Sequence, residues 1–319
     1  MSVRIVRYWY NNDVIITLTG PNNFAIKQAL GLLTRQFVAA HGADSVERME
    51  GDSCSPQDLP DLLQGATLFA TDRLIIMRGA AQNKPLWEAL HDWLDRVSTE
   101  TTLVLIEPML DKRTKTYKAL KKLSDFKEFN ELSERDLLVW LQKTAEHLGN
   151  KLDAKAAQYL LQKVGLDQWQ LWQELQKLVN YSSPITAEAV DALIEPHVQA
   201  SVFDLLDSTL GRKPDRMREL LSKLRTTEDV YKLFGLLVSQ VHTLALVVSA
   251  GNKNAETIAS EAGVHPFVVR KTQALARTLG QSELGHIIAT VARLDMQLKS
   301  TGADPWILLE QCLSKIATR

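Results

Sequence analysis

The stretch VIITLTGPNNFAIKQALGLLTRQFVAA, residues 14–40, decides the fold class. Its first six residues, VIITLT (14–19), form a continuous run rich in β-branched side chains, as expected of a strand buried on both faces. After a Gly-Pro turn, NNFAIKQALGLLTRQFVAA (22–40) repeats its apolar residues at helical spacing. A buried strand leading directly into a helix is the opening unit of a parallel sheet with crossover helices. The alternation continues outward from there. VERM (46–49) is a short extended segment, a helix around 59–69 leads into LIIM (74–77), another at 86–97 into LVLI (103–106), and a third at 114–123 into FKEF (126–129). The pattern predicts a five-stranded, mainly parallel sheet covered by helices on both faces.

Past Asn130 the strand patterns stop. Glu134–Leu148, Asp153–Val164, Asp167–Val179 and Thr186–Ile194 read as helices, with Asp153 and Thr186 as N-caps. SVFDLLDSTLG (201–211) opens a further helical stretch that closes with Asp304-Pro305 ahead of WILLEQCLSKIA, a cap followed by a proline at the first helical position. At 319 residues the chain suits two or three domains. The expected division is an α/β domain over 1–132, a small helical domain over 133–198 and a second all-helical domain over 199–319. The parallel sheet resembles those of phosphate-loop proteins, but in degenerate form.

With a formal net charge of −1, no molecule-wide basic field draws this chain to nucleic acid, so any such contact has to be local. Cys54 and Cys312 have neither disulfide-framework nor metal spacing, which fits a reducing, cytoplasmic setting. The N-terminus lacks the pattern of a signal peptide. LFGLLVSQVHTLALVVSA (233–250) has no formal charge, yet carries Ser239, Gln240, His242 and Thr243 at its centre. It reads as a helix buried on most sides of a soluble bundle.

The turn after the first strand is where an α/β protein of this order would hold a nucleotide. A phosphate-cradling GxxxxGK[ST] loop begun at Gly20 puts Ala25 at the second glycine, Ile26 at the lysine and Lys27 at the hydroxyl. The three chemical roles are vacant, and GxGxxG is missing too. The fourth strand, LVLIEP, supplies one carboxylate, Glu107, where a nucleotide-hydrolysing protein holds magnesium and orients water. His41, His91, His147, His197, His242, His265 and His286 form neither an HExxH pair nor a Cys/His cluster, and no GxSxG elbow occurs. No catalytic, cofactor or metal residues are expected, although an ATPase with an atypical loop stays a competing class.

Two further features bear on nucleic acid. DKRTKTYKALKK (111–122) gathers Lys112, Arg113, Lys115, Lys118, Lys121 and Lys122 against Asp111, either a phosphate-neutralising face or an ordinary solvated helix. ETIASEAGVHPFVVRKTQALAR (256–277) has a helix-turn-helix spacing, with Ala259, Gly263, Val264 and Val269 in place, which makes a DNA-binding regulator the alternative. Its would-be recognition helix opens HPFVV, however, and apolar residues there favour packing over reading base edges.

In QGATLFATDR (64–73) Leu68 and Phe69 stand side by side, about 100° apart on a helix, so one buried stripe cannot take both. A helix over Leu59–Ala70 would line Leu59, Leu62, Leu63, Ala66 and Ala70 on one side and turn Leu68 away. If Gly65 ends the helix, the pair instead plugs the sheet edge before LIIM.

Taken in order, QGATLFATDRLIIMRG, LVLIEPMLDKRTKTYKALKK, ELQKLVNY, VFDLLDSTLG, HPFVVRK and LDMQLKS resemble the delta subunit family of the bacterial DNA polymerase III clamp loader, across nearly the whole chain. The resemblance implies an AAA+-type domain without a working ATP site, a helical lid domain and a helical collar domain. It implies a non-catalytic accessory subunit of a complex that, as a whole, is a DNA-directed DNA polymerase. The implied partners are the beta sliding clamp, the gamma/tau and delta-prime subunits, and primer-template DNA inside the assembled complex. It implies that Leu68 and Phe69 dock on the clamp, that HPFVVRK is collar packing, and that the helix at 233–250 belongs to a subunit-contacting bundle in which Gln240 and His242 find partners.

Overall fold

A computed structural model of the chain describes residues 14–64, 72–251, 253–277 and 279–318. It divides into two compact units, 1–136 and 137–319. In the first unit the order is β1 (Ile15–Thr19), α1 (Asn23–His41), β2 (Val46–Glu50), α2 (Leu59–Gln64), β3 (Arg73–Arg78), α3 (Lys84–Leu90), β4 (Thr101–Glu107), α4 (Lys115–Leu123) and β5 (Asp125–Glu128). The five strands pair in parallel in the order β2-β3-β4-β1-β5, so the first strand of the chain lies inside the sheet.

Strand alternation assigns the two faces. Ile16, Leu18, Leu74, Ile76, Val104 and Ile106 share one face with Ile26, Leu30 and Leu33 of α1. Ile15, Ile75, Met77, Leu103 and Leu105 share the other with Leu59 and Leu63 of α2, Leu86, Trp87 and Leu90 of α3, and Leu120 of α4. Cover on both sides explains why β1, β3 and β4 read as largely apolar runs, and each such leucine contributes roughly 1.5–3 kcal/mol by leaving water.

The helix expected over 86–97 differs at both ends. It starts at Lys84, where Asn83 accepts from the Leu86 N–H and Pro85 sits in the first turn. It stops at Leu90 because Asp92 and Trp93 donate to the carbonyls of Ala89 and Leu90, three residues back, and a 3₁₀ turn follows over Leu94–Arg96. The tighter path brings the Ser98 N–H back to the Leu63 carbonyl at 2.9 Å.

The second unit is helical throughout its described residues, apart from a single bridge between Leu152 and Ile185. α5 (Glu134–His147), whose first three residues belong to the first unit, is followed by α6 (Ala154–Val164), α7 (Gln168–Tyr181) and α8 (Ala187–Leu193). Asp153 and Thr186 cap their helices as expected, accepting from the N–H groups of Ala156 and Ala189. Lys163 donates to the Asp191 carboxylate at 2.8 Å and to the Ile194 carbonyl at 2.9 Å, pinning the end of α8 to α6.

Then come α9 (Val198–Leu210), α10 (Pro214–Thr227), α11 (Val230–Ser249), α12 (Ala255–Ala262), α13 (Pro266–Ala276), α14 (Gln281–Ser300) and α15 (Pro305–Ala317), the last capped by Asp304 as expected. Val202, Leu206, Leu221, Leu237, Leu244, Ile287 and Leu313 meet in one core. α11, the stretch expected to be buried on most sides, instead buries one stripe. Leu233, Leu237, Val241 and Leu244 point inward, while Tyr231, Val238 and His242 are exposed. Its central Thr243 is reconciled with burial by donating to the Ser239 carbonyl.

Gly20 fixes the turn from β1 into α1. Its φ of +110° lies where side chains are strained, and a Cβ there would sit 2.2 Å from the Phe129 carbonyl oxygen. Gly20→Ala is expected to destabilise the chain by about 3 kcal/mol or more, seen as a fall in the urea midpoint without loss of cooperativity.

Candidate functional site

The residues with the chemistry of a nucleotide site lie at the carboxyl ends of β1 and β4. An anion bound there would need N–H groups left open at the start of α1. Here they are committed within the chain. The Gly20 N–H donates to the Pro108 carbonyl at 3.2 Å, Asn22 to Phe129 at 3.0 Å and Asn23 to Pro21 at 2.9 Å. Ala25 donates to the side-chain oxygen of Asn22, whose amide nitrogen donates to the Asn130 carbonyl. Asn22 is only 2% exposed, so this side chain stands in the turn as its own ligand.

Glu107, at the end of β4, is equally occupied. It is 2% exposed and accepts from the Ala81 N–H at 3.2 Å, and from that of Ala80, in the turn after β3. Burial pushes its carboxyl up to about 7, with those two hydrogen bonds holding it back from a larger rise. The same turn packs so closely on the end of β2 that a Cβ on Gly51 would lie 2.4 Å from the Ala80 Cα. Asn83 completes the tie by donating to the carbonyls of Gly51 and Cys54 at 2.9 and 2.8 Å. This cross-link was missed in the sequence reading, although Asn83-Lys84-Pro85 carried the signal of a capped helix start.

Leu68 and Phe69 lie outside the described residues. The posts on either side of them are described. α2 buries Leu59 and Leu63 fully, as the stripe arithmetic expected, and its end is held by Ser98, which donates to the Leu63 carbonyl, and by Gln64, which donates to the Arg96 carbonyl at 3.2 Å. On the far side the Arg73 N–H donates to the Glu100 carbonyl at 2.8 Å, Arg73 pairs with Glu47 at 2.8 Å, and Asp72 lies 3.2 Å from His41. Seven residues, 65–71, thus connect two posts that both grip the segment leading into β4.

The basic stretch forms α4 and the loop before it. Arg113 forks onto Asp111 at 2.9 and 3.0 Å, and that hydrogen-bonded pair holds the Asp111 carboxyl down to about 2. The stretch with helix-turn-helix spacing folds as α12 and α13 around Gly263 at φ +65°. Val269 of α13 is fully buried with Val247 of α11, Ile258 and Ala259, and Phe267 and Val268 of the first turn are half-buried. Among the described residues no group of three or more metal-ligating side chains comes together.

Because burial raises the Glu107 carboxyl in the folded chain, the folded state holds a proton that the unfolded state loses above its ordinary range. The stabilisation is complete below pH about 4.5 and is lost as pH rises through about 7, by on the order of 3 kcal/mol at most. Glu107→Gln, which keeps the shape and cannot ionise, should leave the urea midpoint at pH 5 nearly unchanged and raise it at pH 8. Equal effects at both pH values would refute the assignment.

A family model described as the C-terminal domain of the DNA polymerase III delta subunit matches residues 199–316. DNA polymerase III subunit delta of Bacillus subtilis is 28% identical over 242 residues, covering 72% of this chain and 69% of its own length. The probable DNA polymerase III subunit delta of Aquifex aeolicus is 19% identical over 320 residues, covering 94% of this chain and 90% of its own. The solved structure of the Bacillus subtilis DNA clamp loader delta protein has the same fold, with a TM-score of 0.76 at 21% identity over 96% of this chain and 95% of that one. A terminal domain, two relatives and a shared architecture converge on the DNA polymerase III delta subunit as the protein this chain is similar to.

Proposed function

We propose that this chain is the non-catalytic clamp-loader subunit that binds the beta sliding clamp through Leu68 and Phe69 and holds it open for loading onto primer-template DNA. The observation that favours this most is the closed turn after β1: with the N–H groups of Gly20, Asn22, Asn23 and Ala25 already taken, nucleotide control has to come from other subunits. On this reading 1–132 is an AAA+-like domain, 133–198 a lid and 199–319 a collar, and the gamma/tau and delta-prime subunits complete the ring. Cytoplasmic location follows from a role in replication.

The mechanism is differential binding. A closed ring is held by its own interface, and a subunit shifts it toward the open form only by the margin with which it prefers that form. Leu68 and Phe69 supply an apolar anchor whose burial in a partner is worth roughly 3–6 kcal/mol before association costs. ATP binding by the other subunits would govern when the anchor is presented.

The test measures binding of the full chain to the sliding clamp of the same organism. Leu68→Ala/Phe69→Ala should weaken it by about a hundredfold or more, with the melting temperature kept. Unchanged affinity in the double variant would overturn the proposal.

A further inference from the structure

Residues 111–128 hold seven cations against three acids, in a chain whose net charge is −1. The three acids have their partners: Asp111 is forked by Arg113, Asp125 pairs with Lys127 at 2.7 Å, and Glu128 lies 3.7 Å from Lys112. Lys121 leans over the Phe126 ring, its Nζ 3.9 Å from the centroid. Lys115, Lys118 and Lys122 remain, exposed and without an acid partner among the described residues. They recur at helical spacing on the side of α4 turned away from buried Thr116 and Leu120, a stripe about 10 Å long.

The stripe is carried on a fixed support. Leu120 is fully buried in the core beneath the sheet, the Thr116 hydroxyl donates to the Trp87 carbonyl, and Thr114 caps the helix by accepting from the Tyr117 N–H while the Trp87 indole donates to its hydroxyl. The apolar side of α4 is spent on its own domain, which removes the means by which an amphipathic helix enters a lipid surface. What remains is a row of ammonium groups with no forked donors for base edges, suited to a regular row of single negative charges. Phosphates on one strand of a duplex recur about every 3.4 Å along the axis, so about four of them fit along the length of the stripe.

We propose that Lys115, Lys118 and Lys122 of α4 form a sequence-independent contact with a nucleic-acid phosphate backbone. The choice of nucleic acid among polyanions rests on the replication reading above; the lysine surface itself does not involve Leu68 or Phe69. An acidic protein segment is the other ligand such a stripe would take, and the experiment separates the two.

The full chain is titrated into a fluorescein-labelled primer-template duplex, read by anisotropy from 50 to 200 mM salt, with poly-glutamate as competitor. The wild type should bind alike to two unrelated sequences. Lys115→Ala/Lys118→Ala/Lys122→Ala should lower affinity at 50 mM salt at least tenfold and reduce the slope of log affinity against log salt by about 2 to 3, while the three Lys→Arg changes preserve both. Clamp affinity and melting temperature should not move in either variant, which sets this surface apart from the clamp anchor. Absence of binding by the wild type, an unchanged salt slope in the alanine variant, or displacement by poly-glutamate as effective as by unlabelled duplex would overturn the proposal.

Discussion

The closeness of Gly20 to Phe129 is the constraint on which the first unit turns. Two backbones meet at a distance that leaves no room for a methyl group, and in that position the end of β5 can donate to Thr19 while accepting from Asn22. The bonds that join the end of the outermost strand, β5, to the end of its neighbour β1 and the turn after it are therefore the same bonds that fill the crevice where α/β proteins ordinarily receive a ligand.

The ends of the other strands follow the same logic. Glu107 caps the turn after β3, Asn83 bridges that turn to the end of β2, and Gly51 lets them come within contact. These polar groups are bonded within the chain, and burial raises the Glu107 carboxyl to about 7.

Much of this was legible in the sequence because it depends on local rules. The five strands, the crossover helices, the caps Asp153, Thr186 and Asp304, and the vacant phosphate loop all follow from period, propensity and residue chemistry read over a few positions. What escaped depends on distant partners. The early stop of α3 is set by the need to return Ser98 to Leu63, 35 residues earlier in the chain, and the one-sidedness of α11 by where α9 and α14 happen to lie. Leu68 and Phe69 were reached by resemblance, since stripe arithmetic alone allowed either a plug or an anchor.

The two posts around residues 65–71 have a mechanical meaning. The end of α2 and the start of β3 are both bonded to the short stretch that feeds β4, the central strand of the sheet. A displacement of either post is therefore shared with that stretch and with the strand it enters.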